Sequence, residues 1–205
     1  MKLFGLHPYR RRGKKPFKIN KPSDCVYPNL LLTNCPNYEN YIWVADFTYL
    51  PFQGKFVYLA TVMDLFTRKV VGYAVLTNHS SQLVINALLS ALLHSPRSVI
   101  FHSDNGSEYD AKDFTVLLAN VGILISRSRP GSPWENGYQE SFYSQFKVDL
   151  GDPNRFETLG ELVYEIYRLV WDYNNTRIHS AFRMPPVQFA EVRKSDTIKL
   201  MERVS

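Results

Sequence analysis

Three stretches dense in β-branched and aromatic residues, 41–50, 55–65 and 69–77, follow one another with short breaks at Pro51-Phe52-Gln53-Gly54 and Phe66-Thr67-Arg68. Runs of this kind with turn residues between them predict an antiparallel meander of three strands. The period then lengthens. Leu83, Ala87, Leu88, Ala91 and Leu92 recur at helical spacing and predict a helix over 80–93, followed by a short buried strand over 98–102. A second helix over 113–120, a fifth strand over 122–126, and longer helices over about 132–150 and 158–173 complete the pattern. A meander followed by alternating helices and strands implies an α/β body, a mixed sheet with helices packed on it.

The chain has 205 residues, of which 45% are apolar and 21% charged, enough apolar surface for one folded domain with tails. We divide it into a basic arm and linker over 1–40, a core over 41–190 and a C-terminal tail over 191–205. No apolar run reaches bilayer length, and no signal-peptide pattern follows the basic start, so neither membrane nor export is expected and the location expected is cytoplasmic. Cys25 and Cys35 lie outside metal-finger spacing and read as free thiols. Charge is unevenly placed. Residues 1–18 carry Lys2, Arg10, Arg11, Arg12, Lys14, Lys15 and Lys18 with no acid, so the net +5 leaves the remainder near −2. A basic arm on a mildly acidic body suggests that the arm meets a polyanion such as nucleic acid, with a solvated tail as the alternative.

Three acids stand out by context. Asp46 interrupts the apolar strand Trp43-Val44-Ala45-Asp46-Phe47-Thr48-Tyr49, where a carboxylate is costly without a partner or a cation. Asp104 ends a strand and opens Asp104-Asn105-Gly106-Ser107, which is both a place where α/β proteins put ligands and ordinary turn chemistry. Glu140 lies inside a helix, where exposed glutamates are common. Only the set is informative. Lys147, seven residues after Glu140, projects from the same helix face and suits phosphate contact, or is a solvated lysine.

Other residues have competing readings. Glu135, three after Ser132, fits a capping box with Pro133 in the first turn. Asp64 suits a turn, with Arg68 as a possible partner, and Glu108 is expected to face solvent. Asn105 and His102 could orient Asp104 or serve turn and strand packing, and Trp134, Tyr138 and Phe142 read as packing groups. Arg127 and Arg129, in the stretch before the Glu140 helix, are expected to touch DNA from a mobile loop.

The chain resembles the catalytic core of the retroviral-integrase superfamily, and in particular transposases of the third insertion-sequence family, from about Tyr41 to Ala190. The motifs are the strand around Asp46, then Met63-Asp64-Leu65-Phe66-Thr67-Arg68, then His102-Ser103-Asp104-Asn105-Gly106-Ser107-Glu108-Tyr109, then Pro133-Trp134-Glu135-Asn136-Gly137-Tyr138-Gln139-Glu140, and last Tyr173-Asn174-Asn175-Thr176-Arg177-Ile178-His179. Between Asp104 and Glu140 lie 35 residues, the separation of the superfamily's Asp-Asp-Glu signature. The resemblance implies an RNase H-like five-stranded mixed sheet with flanking helices and a polynucleotidyl transferase for DNA cleavage and strand transfer. Asp46 would bridge two Mg²⁺ or Mn²⁺ ions, Asp104 and Glu140 completing one sphere each, and in-line displacement of a phosphodiester is served by such a pair. It also implies DNA as partner, with Lys147, Asn105, Arg127 and Arg129 as contacts, and a homo-oligomer on DNA; the charge of the basic arm adds Arg11, Arg12, Lys14 and Lys15 as expected contacts. Family transposases carry a helix-turn-helix ahead of the core; none is visible before Tyr41, so a separate end-recognition protein is a possible partner. No structural zinc is expected. The rival readings are an RNase H-like nuclease and a domesticated, inactive DNA-binding or assembly module.

Overall fold

The computed structural model describes residues 27–129 and 137–204, the last eight by their backbone alone. Strands β1 (Ile42–Phe52), β2 (Lys55–Asp64) and β3 (Val70–Leu76) form the predicted meander. Gln53 and Gly54 take positive φ (47° and 76°) at the first turn, the twist a two-residue hairpin needs. Next come α1 (Ser81–His94), β4 (Ile100–Ser103), α2 (Ser107–Asp110), α3 (Lys112–Asn120) and β5 (Leu124–Arg127). Helices α4 (Gly137–Leu150), α5 (Leu159–Asn175) and α6 (Pro186–Val204) close the chain. Thr158 and Glu161 cap α5 reciprocally.

The sheet order is β3-β2-β1-β4-β5, antiparallel through the meander and parallel from β1 to β4 and from β4 to β5. β1 and β2 are buried on both faces for much of their length, so they read as nearly continuous apolar runs. One face packs Trp43, Ala60, Val62 and Phe101 against α1 and α3. There Gly72 lets α1 approach closely: a Cβ would stand 2.4 Å from the Ala87 carbonyl oxygen. The other face packs Ile42, Val44, Leu59 and Met63 against Phe142, Phe146, Leu162 and Ile166 of α4 and α5.

The structure departs from the sequence expectation in three places. Residues 27–34 lie docked on the body rather than running as a linker. Pro28 accepts the Arg127 N–H, the Leu30 N–H donates to the Ser126 hydroxyl, and Leu30 and Leu31 pack on the core, covering the β5 edge. The four-residue α2 fills what reads as loop. Finally, the boundary placed at Ala190 falls inside α6, which continues through the expected tail. Its first turn docks through Phe189, stacked on Phe182 at 4.0 Å and near Phe66 at 5.6 Å. Arg11, Arg12, Lys14, Lys15, Cys25, the Ser132–Glu135 capping box and Trp134 lie outside the described residues. Among the described residues, no helix is long and apolar enough to cross a membrane.

Candidate active site

Sheet register brings the two aspartates together. In the parallel β1–β4 pair, Ile42 faces Ile100, Trp43 faces Phe101 and Val44 faces His102. Carried two residues further, the same offset sets Asp46 level with Asp104, just past the carboxyl end of β4. Asp104 sits in the turn its sequence suggests, its Oδ1 accepting the Gly106 N–H at 3.0 Å. Asp46 accepts the Phe47 N–H at 2.8 Å. Burial, with the Asp104 charge next and Glu140 adding to it, raises the Asp46 carboxyl from 3.8 to about 7. Asp104 is raised as well, chiefly by burial.

Helix α4 supplies the third acid, and two side chains that sequence reasoning missed hold it in place. Gln139 is fully buried; its Nε2 donates to the Val44 carbonyl at 2.8 Å, and its Oε1 accepts from the Thr61 hydroxyl at 3.0 Å. Tyr143, one turn on, donates to the Asp46 carbonyl at 2.6 Å and stands 2.8 Å from the Thr61 hydroxyl. Thr61 itself is paired across from Asp46 in the β1–β2 ladder. A buried amide–hydroxyl network therefore pins α4 to the backbone of the Asp46 strand. The available signal was Gln139 standing on the same helical stripe as the apolar Phe142, Tyr143, Phe146 and Leu150.

Glu140 is exposed beside this lock, near enough for its charge to act on Asp46. Lys147 shares that flank: its ammonium lies 5.2 Å from the Tyr49 ring centre, and its charge lowers the Asp46 carboxyl. Among the described residues, no three His, Cys, Asp or Glu side chains stand close enough to enclose a metal ion. The three acids gather about the middle of the sheet, past the carboxyl end of β4, without closing on a single point.

The neighbouring residues sort differently. Arg127 is 1% exposed, its guanidinium donating to the Tyr109 carbonyl at 2.6 Å and pairing with Asp110 at 3.5 Å. The expected loop contact with DNA is therefore corrected: Arg127 ends β5 and is committed to internal bonds. Glu108, expected in solvent, is 9% exposed in α2 and pairs with His79 at 3.0 Å. The Asp64 carboxylate accepts from the Thr67 N–H and hydroxyl and from the Asn40 N–H, so its partners are turn groups and not the Arg68 side chain. His102 is fully buried, bonded through Nδ1 to the Ser126 hydroxyl, and burial lowers it to about 4. It is a packing histidine. Asn105 donates to the Ser128 carbonyl at 2.6 Å, tying the Asp104 turn to the strand end after β5, while Arg129 is exposed.

Residues 36–133 and 121–186 match two family models, each described as an integrase core domain. The transposase for insertion sequence element IS904 of Lactococcus lactis subsp. lactis (strain IL1403) is 34% identical over 187 residues, covering 88% of this chain and 73% of that protein. An insertion element IS600 uncharacterized 31 kDa protein of Shigella sonnei is 36% identical over 190 residues, covering 89% of this chain and 70% of its own. The HTLV-2 integrase catalytic core domain solved in complex with magnesium (trimeric form) superposes with a TM-score of 0.61 at 19% identity, over 74% of this chain and 97% of that one. At that identity the likeness shows the fold, an RNase H-like mixed sheet with flanking helices.

Proposed function

Because the chain belongs to the integrase core domain family, as the catalytic core of an insertion-sequence transposase or integrase and so a polynucleotidyl transferase, we propose that Asp46, Asp104 and Glu140 are its catalytic carboxylates. The observation that carries this reading is the parallel register that levels Asp46 with Asp104, with α4 bolted to the Asp46 backbone beside them.

The donor set suits hard divalent cations. It is made of carboxylate oxygens alone, as Mg²⁺ or Mn²⁺ prefers, and Asp46, raised to about 7 first by burial and then by the charge of Asp104, is a group whose ionised form a bound cation would favour. Asp46 would serve two ions, with Asp104 and Glu140 serving one each. Such ions, when bound, activate an oxygen nucleophile and stabilise the leaving oxygen of a phosphodiester. The protein's own groups hold and orient. Thr61, Gln139 and Tyr143 fix the distance between the Asp46 strand and the Glu140 helix. The Asp104 turn is fixed by its Gly106 N–H bond and by Asn105. Lys147, on the flank of α4 that carries Glu140, would contact the scissile phosphate, and exposed Arg129 and the basic Arg11, Arg12, Lys14 and Lys15 would add phosphate contacts. The nucleophile is water for end cleavage and a DNA 3′-hydroxyl for strand transfer. Joining two ends in coordination calls for a homo-oligomer on DNA, with end recognition coming from a helix-turn-helix region or partner.

The test is a reversal reaction on a branched DNA that mimics the strand-transfer product, in Mg²⁺ or Mn²⁺. Resealed duplex is expected, dependent on metal and reduced about a hundredfold or more by Asp104→Asn, a loss of about 2.7 kcal/mol of transition-state stabilisation. Hydrolysis with no resealing would turn the reading toward a nuclease. DNA binding with no reaction at all would turn it toward an assembly module.

A further inference from the structure

Helix α4 has two flanks, and only one faces the carboxylates. A helix advances about 100° per residue, so Tyr138 projects nearly opposite to Glu140, and Asp149 follows Tyr138 on that far side. The contacts agree. Phe142 meets Tyr173 of α5 edge-on at 4.8 Å, and Asp149 pairs with Arg177 at 2.5 Å, while Glu140 and Lys147 act on Asp46.

Arg68, in the turn between β2 and β3, reaches this far flank. Its backbone is left-handed (φ 62°), anchored by its N–H to the Asp64 carbonyl at 2.9 Å, and its guanidinium carbon lies 3.4 Å from the centre of the Tyr138 ring. The Nη1 atom is buried with no hydrogen-bond partner, and no carboxylate among the described residues pairs with the side chain. Arg177 and His179 stand nearby: the charges of Arg68 and Arg177 both act on the Tyr173 hydroxyl and on the His179 ring. His179 is held by stacking on Phe182, and its Nδ1 accepts the Ala181 N–H, which leaves Nε2–H as a free donor. Among the described residues, the acid that pairs with this group of basic side chains is Asp149, and its partner is Arg177.

We propose that Arg68, with Arg177 and His179 beside it, forms an anchor for a backbone phosphate of bound DNA on the flank of α4 opposite the catalytic carboxylates. Stacking on Tyr138 holds the Arg68 side chain without satisfying its Nη1 donor, which an anion drawn against the guanidinium would pair. A guanidinium already flattened on a tyrosine presents its fork in fixed orientation, and that fork matches phosphate oxygens. The anchor would hold DNA at a distance from the scissile bond, so it contributes to affinity and path rather than to the chemical step. It rests on the DNA-processing reading above.

The experiment uses the full chain and a labelled branched duplex in metal-free buffer, where binding is read without turnover, between 50 and 200 mM salt. For Arg68→Gln the slope of log affinity against log salt is expected to become shallower by about 0.9. Over that range the variant would lose about 3.5-fold less affinity than the wild type. Arg68→Lys should keep the slope while binding several-fold more weakly, because the charge stays and the planar fork goes. Where Arg68→Gln does not fold, Tyr138→Leu reads the same site from an exposed position, with about threefold weaker binding expected. An unchanged slope and affinity in these variants, with resealing intact, would overturn the anchor and leave the catalytic reading standing. A wild-type chain showing no salt-dependent DNA binding would overturn both.

Discussion

The two faces of the sheet are built by different rules. Against α1 and α3 the contact is largely apolar and depends on fit: Gly72 opposite Ala87 and Ala91 leaves no room for a methyl group. Against α4 and α5 the apolar contact is interrupted, beneath Asp46, by Thr61, Gln139 and Tyr143. Hydrophobic packing is non-directional, whereas hydrogen bonds to named carbonyls fix a helix in angle and register. The first face makes the sheet stable; the second makes one helix stand in one place relative to one strand.

The largest test of that contrast is Gly72→Val. It forces branched carbons into the Ala87 backbone, and we expect a loss of about 3 kcal/mol or more in denaturant unfolding, with the folded fraction still active. An intermediate effect comes from charge on the other face. In metal-free buffer the folded Asp46 carboxyl stands near 7 against 3.8 unfolded, so the folded state holds its proton more tightly and stability falls as pH rises from about 4 to 7. Asp46→Asn should flatten that decline, melting higher than wild type at pH 8 with chelator present while being inactive; equal melting temperatures would show that burial beside Asp104 does not destabilise the Asp46 carboxylate. The smallest expected effect on stability is that of Tyr143→Phe. Losing the bond to the Asp46 carbonyl should cost about 1 kcal/mol in unfolding, while resealing falls further, since α4 loses one of its attachments. Parallel losses in both readouts would reduce Tyr143 to packing.

Sequence periodicity made the scaffold legible because both faces are filled by apolar residues at strand or helical spacing. Asp46 was visible for the converse reason, a carboxylate in an apolar strand. Features set by partners distant in the chain were not. Arg127 looks like a surface cation until Tyr109 and Asp110 are seen to receive it, and Glu108 looks solvated until His79 arrives from the β3–α1 connection. The docking of residues 27–34 depends on Ser126 and Arg127, about a hundred positions away. Gln139 marks the middle case: its place on an apolar stripe was readable, but its two acceptor and donor partners, Val44 and Thr61, were not.

The shared register of β1 and β4 has a consequence for altering this protein by insertion. Asp46 and Asp104 are separated by a hairpin, a third strand and a helix, yet their spacing belongs to the ladder and not to the length of chain between them. Added residues at the exposed Pro96, in the connection that returns from α1 to β4, leave the pair as it is. One residue added between Ile42 and Asp46 would turn Asp46 to the opposite face of the sheet, because side chains alternate along a strand. The chain can thus lengthen at connections such as the one at Pro96, while the ladder positions admit no change in number.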